Sequence, residues 1–350
     1  MREYMRHRVL SSYLAMCFAL TILCALSAQA QCVPPNKIEW PAGNPVWTMC
    51  WVAPPNSSGI SGSGLELRHV FYKNKRVFWQ AHVPVLNVKY DPGGCGGSSL
   101  SYRDWQNQEQ AFEANNVLQP GYAEPTTPPK TVCDHPGSDA GTFSGVAVEK
   151  LKDRLILTTQ MSAGWYRYIQ KWIFYLDGTI EPRFGFTAVT HPCTSKPHNH
   201  HVYWRFDFDV NGFPQDLIQE YNQPPLFPPN NWHSKTVEIS RARSAQSHRK
   251  WRVVDVPTKL EYEVIPGPND GLVDLWGGSD IWALLYHGNE IDDGGATGGP
   301  MGDAQHIDKY KNGENINGQD VVMWYRASFR HASGPVCELV GPTLKPIGNW

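Results

Sequence analysis

The stretch "PHNHHVYWRFDFDVNG", Pro197 to Gly212, sets three histidines beside an arginine and two alternating aspartates. Imidazoles and carboxylates are the side chains that hold metals. Neutral imidazole nitrogens suit copper, zinc or iron, whereas carboxylates supplemented by backbone carbonyls suit a hard cation such as calcium. If the stretch is an extended strand, successive side chains alternate faces. His198 and His200 then project to one side, while His201, Arg205, Asp207 and Asp209 fall on the other.

A second segment, "GQDVVMWYRASFRHAS", carries the same groups in reverse order. Asp320 precedes His331 by eleven residues, as His198 precedes Asp207 by nine. Both offsets are odd, so in each strand the histidine and the aspartate face opposite ways. Laid antiparallel, the two strands put His331 beside His198 and His200, and Asp320 beside Asp207 and Asp209. One pairing thus yields two candidate metal sites, roughly 30 Å apart at about 3.3 Å per residue. That is too far for shared chemistry, so the carboxylate site reads as structural. The bland alternative is a solvated "HNHH" loop running into an ordinary surface strand.

The elements that must position these groups are strands. "LELRHVFY", "VFWQAHVPVLNVKY", "RLILTTQM", "KWIFYL", "TIEPRFGFTAV", "HVYWRFDFDV", "KLEYEVI" and "DVVMWYRASF" are rich in β-branched and aromatic residues, and turn clusters such as "KNK", "LDGT" and "INGQD" separate them. Helical periodicity is weak and confined to "YRDWQNQEQAFEA" and "DIWALLYH". The expectation is an all-β fold, a large antiparallel β-sandwich with long loops. Pro- and Gly-rich stretches interrupt the strand pattern without changing its character, so residues 31–350 read as one domain.

Residues 1–30 have a basic start (Arg2, Arg6, Arg8), an apolar run and small residues at Ala28 and Ala30, the pattern of a signal peptide cut before Gln31. The reading is a secreted or periplasmic protein with no membrane association once the signal is removed. Of eight cysteines, Cys17 and Cys24 leave with the signal, and the remaining six occur in no CxxC pair. Disulfides are expected in an oxidising compartment, with a pairing that spacing alone does not choose. The formal net charge of −2 gives no global attraction to nucleic acid.

"SAGWYRYIQKWIFYLDGTIE", Ser162 to Glu181, resembles the quinone-forming segment of copper amine oxidases. There, a small residue and a glycine precede Asn-Tyr-Asp/Glu-Tyr, an aromatic strand and a "DGTIE"-like turn. Three further blocks are similar to the same family in the same order: "GSGLELRHVFYKNKRVFWQAHVPVLNVKYDP", "HNHHVYWRFDFDVNG" and "INGQDVVMWYRASFRH". Together they span about Gly62 to His331. The resemblance implies that His198, His200 and His331 bind copper and that Tyr166 is the precursor of topaquinone, with Tyr90 hydrogen-bonded to it. It implies a second cation, with calcium as the candidate, held by Asp207, Asp209 and Asp320 and the carbonyls of Phe208 and Val321. It also implies a homodimer, built here from the catalytic sandwich alone, that oxidises a small primary amine with oxygen. Cys133 looks like half of a family disulfide, with Cys95 as its candidate partner.

Such chemistry requires an electron sink, which an ortho-quinone provides, and a carboxylate base to take a proton from the substrate carbon. Counting from Tyr90 at the family's spacing reaches Asp104, whereas anchoring on "WQN" reaches Gln110 with Glu109 adjacent; Asp104 is the favoured base and Glu109 its close competitor. Trp165 and Arg167 stand where the family has Asn and an acid. Those departures keep two other readings open: a copper-binding oxidase-like protein of this fold without the quinone, and a non-catalytic binding domain stabilised by metals.

Overall fold

Alternating large apolar residues favour extended chain because each strand can bury one face, and two such sheets stacked face to face enclose a core. The computed structural model describes residues 32, 36–59, 63–92, 101–104, 110–111, 128–134, 145–163, 165–188, 191–212, 215–271, 279–291, 307–331 and 337–350. Among these, the first sheet runs in the order β1 (Lys37–Trp40), β2 (Trp47–Val52), β3 (Glu66–Tyr72), β4 (Lys75–Tyr90), β11 (His198–Phe208), β18 (Val321–His331), β17 (Ile281–Leu285) and β14 (Ile239–Arg241). A short β5 (Ser101–Asp104) pairs with β4. The second sheet runs β13 (Trp232–Lys235), β12 (Asp216–Tyr221), β15 (Lys250–Asp255), β16 (Glu261–Ile265), β20 (Thr343–Ile347), β10 (Ile180–Ala188), β9 (Tyr166–Tyr175), β8 (Arg154–Ala163) and β6 (Gln110–Ala111). In addition, β7 (Val146–Lys150) pairs with β8, and β19 (Leu339–Val340) with β10. The fold is the expected all-β sandwich of two large antiparallel sheets, and all eight strand-like runs are strands.

Between the sheets, Phe206 of β11 meets Trp172 of β9, and Trp204 meets Phe184 of β10. Each fully buried Phe of this kind stabilises by about 1.5–3 kcal/mol relative to exposure. The buried Gln170 amide accepts from Leu65 N–H at 2.7 Å and donates to Leu65 O at 3.1 Å, so a side chain of the second sheet completes backbone bonding beside the first. The outer face of the first sheet is covered as well, by Val85, Tyr203, Trp282, Trp324 and Ile307. Both faces of β11 are therefore buried. The "LDGT" turn closes with Gly178 at φ +91°, its N–H bonded to Tyr175 O. A Cβ there would meet the Tyr72 ring at 2.6 Å, so only glycine fits.

Three expectations need correction. "DIWALLYH" is not helical: Ile281–Leu285 is β17, paired with β18 and buried on both faces, and a strand buried on two sides loses the alternation that identifies it. "YRDWQNQEQAFEA" likewise begins as β5 and contains β6, with residues 105–109 outside the described set. Cys133 is bonded to Cys337, not to Cys95, across a sequence separation of 204. Cys32 pairs with Cys50, and Cys193 is also disulfide-bonded. Cys95, and the signal-like residues 1–30, lie outside the described residues. No helix among the described residues is long and apolar enough to cross a membrane.

Candidate metal centre

Strand β11 sits between β4 and β18. Its pairing with β18 runs unbroken from His198 opposite His331 to Phe208 opposite Val321. On the other side His198 is opposite Tyr90 of β4. A single cross-strand row therefore holds Tyr90, His198 and His331. His200 lies two residues along on the same face, as alternation requires.

The three imidazoles adjoin: ring centroids are 4.8 Å apart for His198 and His200, and 4.7 Å for His198 and His331. His198 Nδ1–H donates to the Lys196 carbonyl at 2.5 Å, which leaves the lone pair of the neutral ring on Nε2. That nitrogen lies 3.2 Å from His331 Nδ1. His200 Nδ1 is 3.3 Å from the Tyr168 hydroxyl, and its Nε2 is buried without a hydrogen-bond partner. Burial lowers the His198 pKa to about 4. It lowers that of His200 well below the usual imidazole value, with the neighbouring histidines adding to the effect. Both rings are neutral near pH 7, the form in which imidazole ligates metals. Among the described residues, no group of three or more His, Cys, Asp or Glu side chains is set at metal-holding geometry. His198 and His331 point their nitrogens at each other, so a metal would have to part them. The donor set still fits copper: three adjoining imidazoles, one with an orphaned nitrogen, in an apolar cage.

Tyr166, the first residue of β9, comes from the facing sheet into this cage. Its hydroxyl is 2.7 Å from that of Tyr90. Its ring centroid lies 4.8 Å from His200 and 5.3 Å from His198. Phe186 of β10 packs on His200 at 3.8 Å and excludes water from it. The preceding Trp165 stacks on His191 at 4.0 Å, with the rings nearly parallel. Arg167 has the opposite strand parity to Tyr166 and donates to the Tyr166 carbonyl at 2.8 Å, so its charge sits away from the histidine face.

Of the two candidate bases, Asp104 is described by its backbone. The Asp104 backbone pairs with Asn87, which is opposite His201, three residues along from the row of Tyr90 and His198. Glu109 lies outside the described residues.

At the other end of the same strand pair, the carboxylates gather. Both oxygens of Asp207 are buried without hydrogen-bond partners, as is Oδ1 of Asp320. Burial pushes the Asp207 carboxyl up to about 8; Asp320 and Asp209 add to this and Arg205 opposes it. Burial raises Asp320 to about 6. Asp209, also raised by burial, accepts from Arg76 at 3.0 Å. Phe208 and Val321 are directly paired here. A fourth carboxylate, Asp216, was not anticipated. Its Oδ1 is buried and unpartnered, its Oδ2 accepts from Val210 N–H at 3.3 Å, and burial together with Asp209 raises it to about 9. The signal lay in "DVNG". Asn211 and Gly212 both take left-handed φ and Gly212 N–H bonds Asp209 O, turning the chain back toward Asp209. Orphaned buried carboxylate oxygens are costly unless protonated or occupied, and oxygen-only donors suit calcium.

Known structures share this architecture. The copper-containing benzylamine oxidase of Hansenula polymorpha superposes with a TM-score of 0.63 at 13% identity, covering 89% of this chain and 59% of its own. An amine oxidase of Aspergillus nidulans gives 0.60 at 15% identity, covering 89% and 51%. The lysyl oxidase of Pichia pastoris gives 0.59 at 13% identity, covering 86% and 51%. The chain thus has the fold of copper amine oxidases and spans about half to three fifths of those chains. At such identities the likeness is one of fold. No protein-family model and no curated protein matches the chain.

Proposed function

We propose that this protein is a secreted or periplasmic primary-amine oxidase, dependent on copper and topaquinone and acting as a homodimer, that converts a small amine and oxygen into aldehyde, ammonia and hydrogen peroxide. The observation that carries the reading is the Tyr166 hydroxyl, 2.7 Å from Tyr90, on a ring packed against His198 and His200. When bound, copper would supply the oxygen chemistry that makes topaquinone from Tyr166, and the quinone would supply the electron sink for amine oxidation.

The chain's own groups have distinct tasks. His198, His200 and His331 would hold copper through ring lone pairs, and burial keeps His198 and His200 unprotonated. The Lys196 carbonyl fixes the tautomer of His198, and Tyr168 orients His200. Tyr90 holds the Tyr166 oxygen in place. Asp104, with Glu109 as its competitor, would take the substrate proton. Asp207, Asp209 and Asp320, with the Phe208 and Val321 carbonyls, would bind calcium and brace the far end of the strands.

A second reading keeps the fold and the copper without conversion of Tyr166. It is favoured by Trp165, which lacks the amide of the family's Asn and lies stacked on His191. Peptide mapping after aerobic copper loading separates the two. Oxygenated Tyr166, with activity lost in Tyr166→Phe, supports the amine oxidase. Copper retained beside unmodified Tyr166, with activity surviving that substitution, supports the second reading.

A further inference from the structure

We propose that a cavity of about 990 Å³ in the second sheet binds an organic carboxylate with an apolar body, and that Arg243 is its anchor. The cavity is walled by residues of β12, β15 and β16, by the loops that follow β12 and β16, and by the loop from β14 to β15 that carries Arg243, and none of its lining residues belongs to the histidine or carboxylate clusters.

The Arg243 side chain is 8% exposed, yet its Nε and Nη2 have no hydrogen-bond partner. The nearest carboxylates do not use these donors. Asp280 lies 3.5 Å from Nε, with one oxygen taken by Arg326 and the other by the Arg243 backbone N–H. Asp270 lies 4.0 Å from Nη1, with its oxygens taken by Gly341 N–H, Gly267 N–H and the Tyr325 hydroxyl. A buried guanidinium with idle donors costs about 1–3 kcal/mol for each unsatisfied group unless something accepts from it.

Charge points to an anion. Among the described lining residues three are cationic, Arg243, Arg249 and Lys250, and none is acidic. Arg249 pairs with Glu220 and Lys250 with Glu263. Arg243 keeps two unpartnered donors, so an added negative charge is favoured there. A planar carboxylate matches the guanidinium fork, which a point-charge anion does not exploit. The remaining wall, from Ile265, Pro266, Pro268, Ala245 and the Tyr221 ring, is apolar and suits a hydrocarbon body. The loop that carries Arg243 and Ala245 is closed by a turn: His248 has φ +48° and its N–H bonds Ala245 O.

The test is isothermal titration of the full chain with benzoate, with neutral benzamide as the control for shape. A second arm uses an acetylated dipeptide ending in a free phenylalanine carboxylate, against its amidated form. Benzoate binding without benzamide binding supports a free organic acid as ligand. Binding of the free-ended dipeptide alone supports a chain-terminal carboxylate at the same anchor. Arg243→Met should weaken whichever binds by about tenfold or more, the equivalent of a lost charge-assisted pair. Because that variant also disturbs the Asp270 and Asp280 network, Ala245→Trp at the exposed rim is the second variant. It leaves that network untouched and should abolish binding at an unchanged melting temperature. Failure of both carboxylates to bind, equal binding of the neutral analogues, or full binding by Ala245→Trp overturns the proposal.

Discussion

The two ends of the β11 and β18 pair use the same backbone pairing for opposite electrostatic ends. At the histidine end, burial keeps His198 and His200 neutral, so the low-dielectric interior and the metal-binding form agree. At the carboxylate end, burial drives Asp207, Asp216 and Asp320 toward their protonated forms, the forms that do not bind a cation. Burial thus favours the ligating form of His198 and His200 and opposes the cation-binding form of the carboxylates. If metals bind as proposed, a hard-cation site made of buried acids must be the more strongly coupled to stability.

The sharpest way to break this comparison is to remove a histidine. His331→Ala should abolish stoichiometric copper retention and with it any conversion of Tyr166, a larger loss than the roughly 10–100-fold typical of removing an outer-shell partner. Metal analysis and the mass of the Tyr166 peptide check this. The calcium response of melting should be unchanged, and a parallel loss at both ends would show that the sites are not separable.

Next in size is the pH dependence of the carboxylate end. The folded pKa of Asp207, about 8, lies above its unfolded value, so its proton stabilises the fold fully below roughly pH 4, and that contribution is lost as pH rises toward 8. Without cation, melting temperature should fall across this window. Calcium, which needs the deprotonated acids, should restore it more at pH 8 than at pH 5.5. A calcium effect that is equal at both pH values, or greater at the lower, would sink this account.

Asp207→Asn should then reverse the sign. Without cation at pH 8 the variant should be more stable than the parent, on the order of a few kcal/mol, because an uncharged group replaces a buried charge. It should no longer respond to calcium. Denaturant unfolding with and without chelator measures both effects. The smallest change is expected for Tyr90→Phe. Loss of one hydrogen bond to Tyr166 is worth about 1 kcal/mol, so conversion of Tyr166 should slow on the order of fivefold with copper content unchanged.

Much of the centre was legible because strand parity is rigid. Odd offsets in "HNHHVYWRFDF" and "DVVMWYRASFRH" sufficed to put His331 beside His198 and His200, and the register found sets it opposite His198. The bordering strand β17 was not legible, since "IWALL" is apolar on both faces and carries no period. Asp216 escaped because it acts only after the Asn211–Gly212 turn returns the chain, and turns reveal direction less readily than alternation reveals faces. The Cys133–Cys337 bridge joins parts of the chain so distant that spacing could not select it. The approach of Tyr166 to the histidines depends on how two sheets stack, which no single strand encodes.

The continuous pairing of β11 with β18 has one more outcome. A shift of one residue would turn every side chain of β11 to the opposite face, sending His198 and His200 outward and Asp207 inward together. An intermediate misregistered by one residue would then assemble neither cluster. Ion uptake at the two extremities would act as a proofreading step on a single alignment, rewarding the correct register twice and every neighbouring one not at all.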